Sequence, residues 1–167
     1  AINIGASKLA IQSLGVGIGA KIIMDNITNK MTTDSIISTT YIISPAFTSA
    51  FVIDNLFQSD SSLSHHLYRT FYFGTRYKTL QVVQIHVDPF YSPSYSGGKK
   101  AGVSAGVEMG IMADFFIRLG KFENAEIPYL DARGSGYGLG LGWVGPRLSV
   151  DYAYHAVPKN DRIPGAP

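Results

Sequence analysis

Cysteine is absent from these 167 residues, so no disulfide scaffold, thiol chemistry or zinc-thiolate site is available. Charge is scarce as well, at 16% of residues against 46% hydrophobic. The 14 basic and 12 acidic residues leave a net charge of +2, and no basic run exceeds Lys99-Lys100. That excludes an electrostatic case for nucleic acid. A convincing membrane helix is missing too. Ser35 to Ile53 carries no formal charge and is long enough to cross a bilayer. Pro45 near its centre, its many Ser and Thr, and its β-branched, aromatic-rich composition read instead as two strands around a Ser44-Pro45-Ala46 turn. The chain begins at Ala1 without Met or a basic-plus-apolar leader, the form expected of a mature protein after signal removal or of a fragment.

What the chain does have is alternation. In Leu148 to His155, Leu, Val and two Tyr share one face, with Ser, Asp, Ala and His on the other. Ala101, Val103, Ala105, Val107, Met109 and Ile111 alternate with Gly102, Ser104, Gly106, Glu108 and Gly110. Tyr137, Leu139, Leu141 and Trp143 alternate with glycines. Period two means strand. An apolar face opposed by glycine and charge fits a closed barrel with lipid outside and a polar inside.

Ten candidate strands follow: Ile2 to Leu9, Leu14 to Met24, Thr33 to Ile43, Phe47 to Leu56, Leu67 to Tyr77, Thr79 to Asp88, Lys100 to Ile111, Ala113 to Phe122, Gly134 to Val144 and Arg147 to His155. Two of them merge or vanish on a stricter reading. The expected fold is therefore all-β, an antiparallel up-and-down transmembrane β-barrel of eight to ten strands, with residues 1–156 as one domain and 157–167 as a polar, Pro-containing tail. Short turns near Ser44-Pro45, Lys78, Met112 and Gly145-Pro146 alternate with longer connections at 25–32, 57–66, 89–99 and 123–133. With an even strand count and both ends in the periplasm, the short turns would face outward, the reverse of the usual layout.

The expected outer face runs through Leu14, Val16 and Ile18, Phe47 and Phe51, Phe71 and Phe73, Val83 and Ile85, and Phe115 and Ile117. Tyr41, Tyr137, Trp143, Tyr152 and Tyr154 supply rings of the kind that settle at membrane interfaces. On the inner face, Lys21, Glu108, Asp114, Arg118, Arg147 and Asp151 form an expected charge network, because isolated charges in a narrow lumen are costly. Gly136, Gly138, Gly140 and Gly142 leave one wall almost without side chains. A soluble β-sandwich with the apolar face as its core is the reading outside the membrane.

Catalytic signals are weak. His65-His66 reads as a solvated loop pair, and Gln84, His86 and Asp88 share a strand face without a third metal ligand or a nucleophile at recognisable spacing. Ser135 lacks the Gly-x-Ser-x-Gly pattern, and the later Gly-x-Gly repeats lie in strand alternation, not before a helix. Asn26-Ile27-Thr28 is a formal sequon that matters only in a eukaryotic secretory setting. No enzyme, cofactor or metal is expected. Phe90, Tyr91 and Tyr95, in the turn-rich stretch 89–98, form a candidate loop interaction surface, or else fold down over the barrel mouth.

Three stretches carry a family resemblance: Leu14 to Lys21, Lys100 to Glu108, and Gly138 to Trp143 leading into Leu148 to Tyr154. In this order of elements the chain from Leu14 onward resembles the C-terminal part of FadL-like and PorV-like outer-membrane barrels. The resemblance implies an outer-membrane location in a bacterial cell, with lipid or lipopolysaccharide as partner. No segment matches the family's N-terminal hatch. The expected function is a small outer-membrane barrel with a largely filled, charge-paired lumen and a structural or surface-interaction role. The alternatives are transport or binding of a small hydrophobic ligand, and a soluble binding module.

Overall fold

A computed structural model describes residues 2–25, 30–64, 67–79, 82–112, 114–127, 133–146 and 148–158. Ten strands follow one another: β1 (Ile2–Ile11), β2 (Leu14–Asp25), β3 (Lys30–Ile42), β4 (Phe47–Asp54), β5 (Thr70–Thr79), β6 (Val83–Tyr91), β7 (Ala101–Gly110), β8 (Phe115–Glu126), β9 (Arg133–Val144) and β10 (Ser149–Ala156). One short helix, α1 (Asp60–Ser64), lies between β4 and β5. All ten strands form a single sheet in sequence order, every neighbouring pair antiparallel. The sheet is not closed: β1 and β10 are its two edges and no ladder joins them. The expected barrel is thus met as an all-β meander but not as a closed cylinder.

Most strands lie where alternation puts them, and the departures have local causes. β6 starts later than expected and runs through Pro89 to Tyr91, while β5 extends to Thr79, so Lys78 lies within a strand and not in a turn. Proline has no N–H to donate, and the ladder to β5 skips Pro89 and resumes at Phe90 opposite Tyr72. β8 continues four residues past Phe122 because of a bulge at Asn124, whose φ of 53° is a left-handed conformation that Asn tolerates. Asn124 Nδ2 donates to the carbonyls of Lys99 and Ala101, pinning the bulge to β7. β5 begins at Thr70, leaving Leu67 in the connection. Ser59 caps α1, accepting from the Ser62 amide at 3.1 Å through its hydroxyl.

Connections differ by end. Each odd strand hands over to the next even strand by a short turn. At Ser44, for example, the Phe47 amide donates to the Ser44 carbonyl and hydroxyl, both at 3.1 Å. The longer connections, α1, and the outer ends of β1 and β10 sit at the opposite end. The pairs are also staggered. Followed strand to strand, Leu14 at the short-turn end of β2 leads through Tyr41, Thr75, Ala105 and Tyr137 to Ala156, the last residue of β10 at the long-loop end.

The described residues form no second layer. Among the described residues only Phe90 and Ile127 are buried hydrophobics. The accessible surface is 11567 Å². A compact monomer of 18.1 kDa would expose about 8,000 Å².

Candidate functional site

The pairings sort the side chains into two faces. One is mainly apolar, interrupted by Lys8, Lys121 and Glu123: Ala6, Ile18, Ile37, Ile53 and Phe71 lie in one cross-strand row, and Ile85, Val107, Leu119, Leu139 and Tyr154 in another. Ile18 is 67% exposed and Tyr154 57%. Rings mark both margins of this face. Tyr41, Phe47, Tyr77, Phe115 and Trp143 stand at the short-turn ends of their strands, where Phe115 and Trp143 pack with centroids 6.3 Å apart. Phe71, Tyr91, Tyr137 and Tyr154 lie toward the long-loop end. All five expected interface aromatics are on this face. Tyr77, Tyr91, Phe115 and Phe71 join them, and their positions at strand ends were the sequence signal.

The other face is polar, glycine-rich and concave, as three reaches across intervening strands demonstrate. Lys21 on β2 passes β3 to reach Asp54 on β4 at 3.0 Å. Arg118 on β8 passes β9 to reach Asp151 on β10 at 2.7 Å. Arg133 at the start of β9 donates to the Ser92 hydroxyl, just beyond β6, at 2.6 Å. Three strand spacings are roughly 14 Å along a sheet, so that last reach requires strong curling.

The expected charge network divides. Glu108 and Arg118 are register neighbours, with Arg118 Nε 2.7 Å from Glu108 Oε2. Gln84 donates to Glu108 from the other side at 3.2 Å, and Asp151 closes the row. The Arg118 guanidinium also lies 4.4 Å over the Phe116 ring. Lys21 is not part of this row. Its ammonium donates to Asp54 and to the Asn55 side chain, in a separate cluster nearer the long-loop end of β2 to β4. Asp114 is not on a strand. It sits exposed in the turn before β8, where its carbonyl accepts from the Val144 amide at 2.8 Å. Arg147 lies outside the described residues, as do His65-His66, the Asn26-Ile27-Thr28 sequon and the tail beyond 158.

Beside the Arg118 row runs a trough. Gly106, Gly120 and Gly138 are register partners on β7, β8 and β9, flanked by His86 on β6 and His155 on β10. Arg118, Glu108 and Asp151 bound one side, Asp88 and Ser104 the other, around about 470 Å³. Elsewhere on β9 the glycines are covered. A methyl group at Gly142 would run into the Phe116 ring, and one at Gly136 into the Phe122 ring. No group of three potential metal ligands occurs among the described residues.

Phe90, Tyr91 and Tyr95 do not form one loop surface. Phe90 and Tyr91 belong to β6 and point to opposite faces, Phe90 buried on the concave side and Tyr91 exposed on the apolar side. Tyr95 alone is in the loop, packed edge-on against Tyr68 with centroids 5.2 Å apart. Asn124, Arg133 and Asp54 are concave-side contributors without a periodic sequence signal.

Comparison of this chain with family models, with curated proteins and with solved structures found no match. No helix among the described residues is long and apolar enough to cross a membrane, which leaves open crossing by strands.

Proposed function

We propose that this sheet spans a bilayer as the wall of a β-barrel, its apolar face against hydrocarbon and its concave face lining the lumen. The observation that carries this reading is the apolar face itself. Apolar residues run along it through all ten strands, no described element covers it, and rings edge both margins. A single layer with this face in water would leave its main hydrophobic surface unburied, whereas in a bilayer that surface is satisfied and the aromatics meet the headgroups. Strands of 8 to 13 residues suit the roughly 9 to 11 residues of a tilted crossing. The stagger from Leu14 to Ala156 is of the kind closure demands. The location is the outer membrane of a bacterium, and the resemblance to FadL-like and PorV-like barrels is part of the reading. The role is structural or surface-interacting and not catalytic, with lumen charges held in pairs.

Closing the wall requires a partner for the free edges of β1 and β10, which the open sheet leaves unpaired. Extraction is the first test. A protein that requires detergent, and migrates on a denaturing gel as a fast folded form until boiled, meets the proposal; one released into plain buffer as a monodisperse monomer ends it.

The glycine trough favours a second reading, binding of a small ligand with a flat apolar body against Gly106, Gly120 and Gly138. Steady single-channel currents blocked by such a ligand, and unblocked in Gly120→Leu, would favour it over the purely structural role.

A further inference from the structure

The Arg133 side chain is deeply buried, 2% exposed. Its guanidinium lies 4.0 Å over the Tyr95 ring and 5.1 Å over Phe90. Nη2 donates to Ser92 Oγ at 2.6 Å, and Ser92 Oγ is in turn 2.7 Å from Thr70 Oγ1 on β5. One side chain thus ties β9 to the strap that leaves β6, residues 92–100, and through it to β5. The strap has further anchors near its two ends: Tyr95 packs on Tyr68, and the Lys99 carbonyl accepts from Asn124 Nδ2 at 2.7 Å. Its own amides make two bonds, Ser92 to the Lys100 carbonyl and Tyr95 to the Ser92 carbonyl, and Ser94 reaches Gln58 at 3.1 Å. Gly98 has a φ of 132°, open to glycine and to few other residues, and a side chain added there would point into open space, which leaves room for the backbone to pivot at this point.

The guanidinium is held at a cost. Nε and Nη1 are buried without hydrogen-bond partners among the described residues, and Glu126 is 3.6 Å away and mostly exposed. An Arg that stacks on two rings yet leaves two donors unpaired recovers their hydration as soon as it moves into water. We infer that residues 92–100 are a latch strap, clamped by Arg133 between Phe90 and Tyr95 over the long-loop end of the concave face and poised to swing open about Gly98. On the same face Phe90 also borders a half-open hollow of about 480 Å³, lined with Tyr72, Asp88, Ser104 and Glu126.

Hydrogen exchange and trypsin cleavage at Lys99-Lys100, both on the folded chain in detergent, test the latch without reference to any bilayer. Arg133→Gln should speed exchange of residues 92–96 at least tenfold and raise the cleavage rate similarly, with β2 and β7 amides unchanged. Tyr95→Phe, which keeps the ring, should behave as the parent, while Tyr95→Ala should open the strap without altering a strand. Tyr95→Ala serves where Arg133→Gln does not fold. Parent-like exchange and cleavage in Tyr95→Ala, or opening by Tyr95→Phe equal to that by Tyr95→Ala, would overturn the inference.

Discussion

Arg118 on β8 lies over Gly140 of β9 and sets its Nη1 2.7 Å from Asp151 on β10, one strand beyond its register neighbour. The missing side chain on β9 makes the pair geometrically available, since any larger residue at 140 would stand in the path. A cation thereby holds two anions, Glu108 and Asp151, in one row across four strands.

The first prediction concerns that row. Arg118 and Asp151 are each about half exposed, at 47% and 53% of the side chain. An ion pair in such contact with water couples weakly, about 0.2 to 1 kcal/mol, and weakens with salt. A double-mutant cycle of Arg118→Ala and Asp151→Ala in urea unfolding should return that range at low salt and shrink toward zero at about 1 M. A coupling that is several-fold larger and indifferent to salt would mean a dry, filled lumen, the arrangement in which breaking a pair costs about 3 to 5 kcal/mol.

A second pair of variants reads the two faces of β7. Val107→Arg puts a charge at mid-strand on the apolar face and should destabilise the bilayer-inserted protein by about 2 to 4 kcal/mol. Glu108→Gln, its neighbour on the concave face, loses a charged acceptor to Arg118 while keeping the hydrogen bond with Gln84, a change of about 1 kcal/mol. Refolding yields into lipid vesicles as a function of urea would measure both. The reverse order of sensitivity would exchange the lipid and lumen faces.

Those face assignments were legible because period two is a property of single strands. Ile85 and Val107, or Glu108 and Arg118, declare their side of the sheet without knowledge of neighbours. What was not legible depends on curvature and on local breaks in the alternation. Lys21 finds Asp54 two strands away only because the sheet curls, so grouping it with Glu108 had no means of correction in sequence. Asn124 carries no hydrophobic signal, yet its left-handed turn shifts the register and lengthens β8. Pro89 reads as the start of a loop, whereas β6 absorbs it and places Phe90 and Tyr91 on opposite faces. Closure is a property of the whole sheet and no residue encodes it alone, so ten alternating strands were compatible with a cylinder that the structure leaves open.

The glycines of the concave face should not respond alike. At Gly142 a methyl group meets the Phe116 ring, on which Arg118 also stacks, so Gly142→Ala should cost about 1 to 3 kcal/mol by overpacking. At Gly120 the nearest atom to an added methyl is the Ala105 carbonyl oxygen at 3.4 Å. Gly120→Ala should therefore be neutral, or stabilising by up to about 1 kcal/mol through the unfolded chain's lost freedom. Equal losses at both positions, measured by thermal unfolding in detergent, would mean that the trough is occupied by packing partners.

The single tryptophan makes the orientation of the sheet measurable. Trp143 stands on the apolar face at the short-turn end of β9, against Phe115, in the ring-lined margin assigned to the headgroup region. In vesicles its emission should be blue-shifted relative to the unfolded chain and quenched best by lipids brominated near the glycerol backbone. Moving the probe tests the tilt as well. In a Trp143→Phe background, Leu119→Trp should report from deeper in the bilayer, because Leu119 lies mid-strand on β8 in the aliphatic row with Val107 and Leu139. Quenching of Leu119→Trp by deep-chain bromines should then exceed that of Trp143, with aqueous acrylamide ineffective at both. Free access of acrylamide to Leu119→Trp in the folded, vesicle-bound protein would show that the apolar face never meets hydrocarbon. The membrane assignment would fall with it, while the latch at Arg133, read in detergent, would stand or fail on its own data.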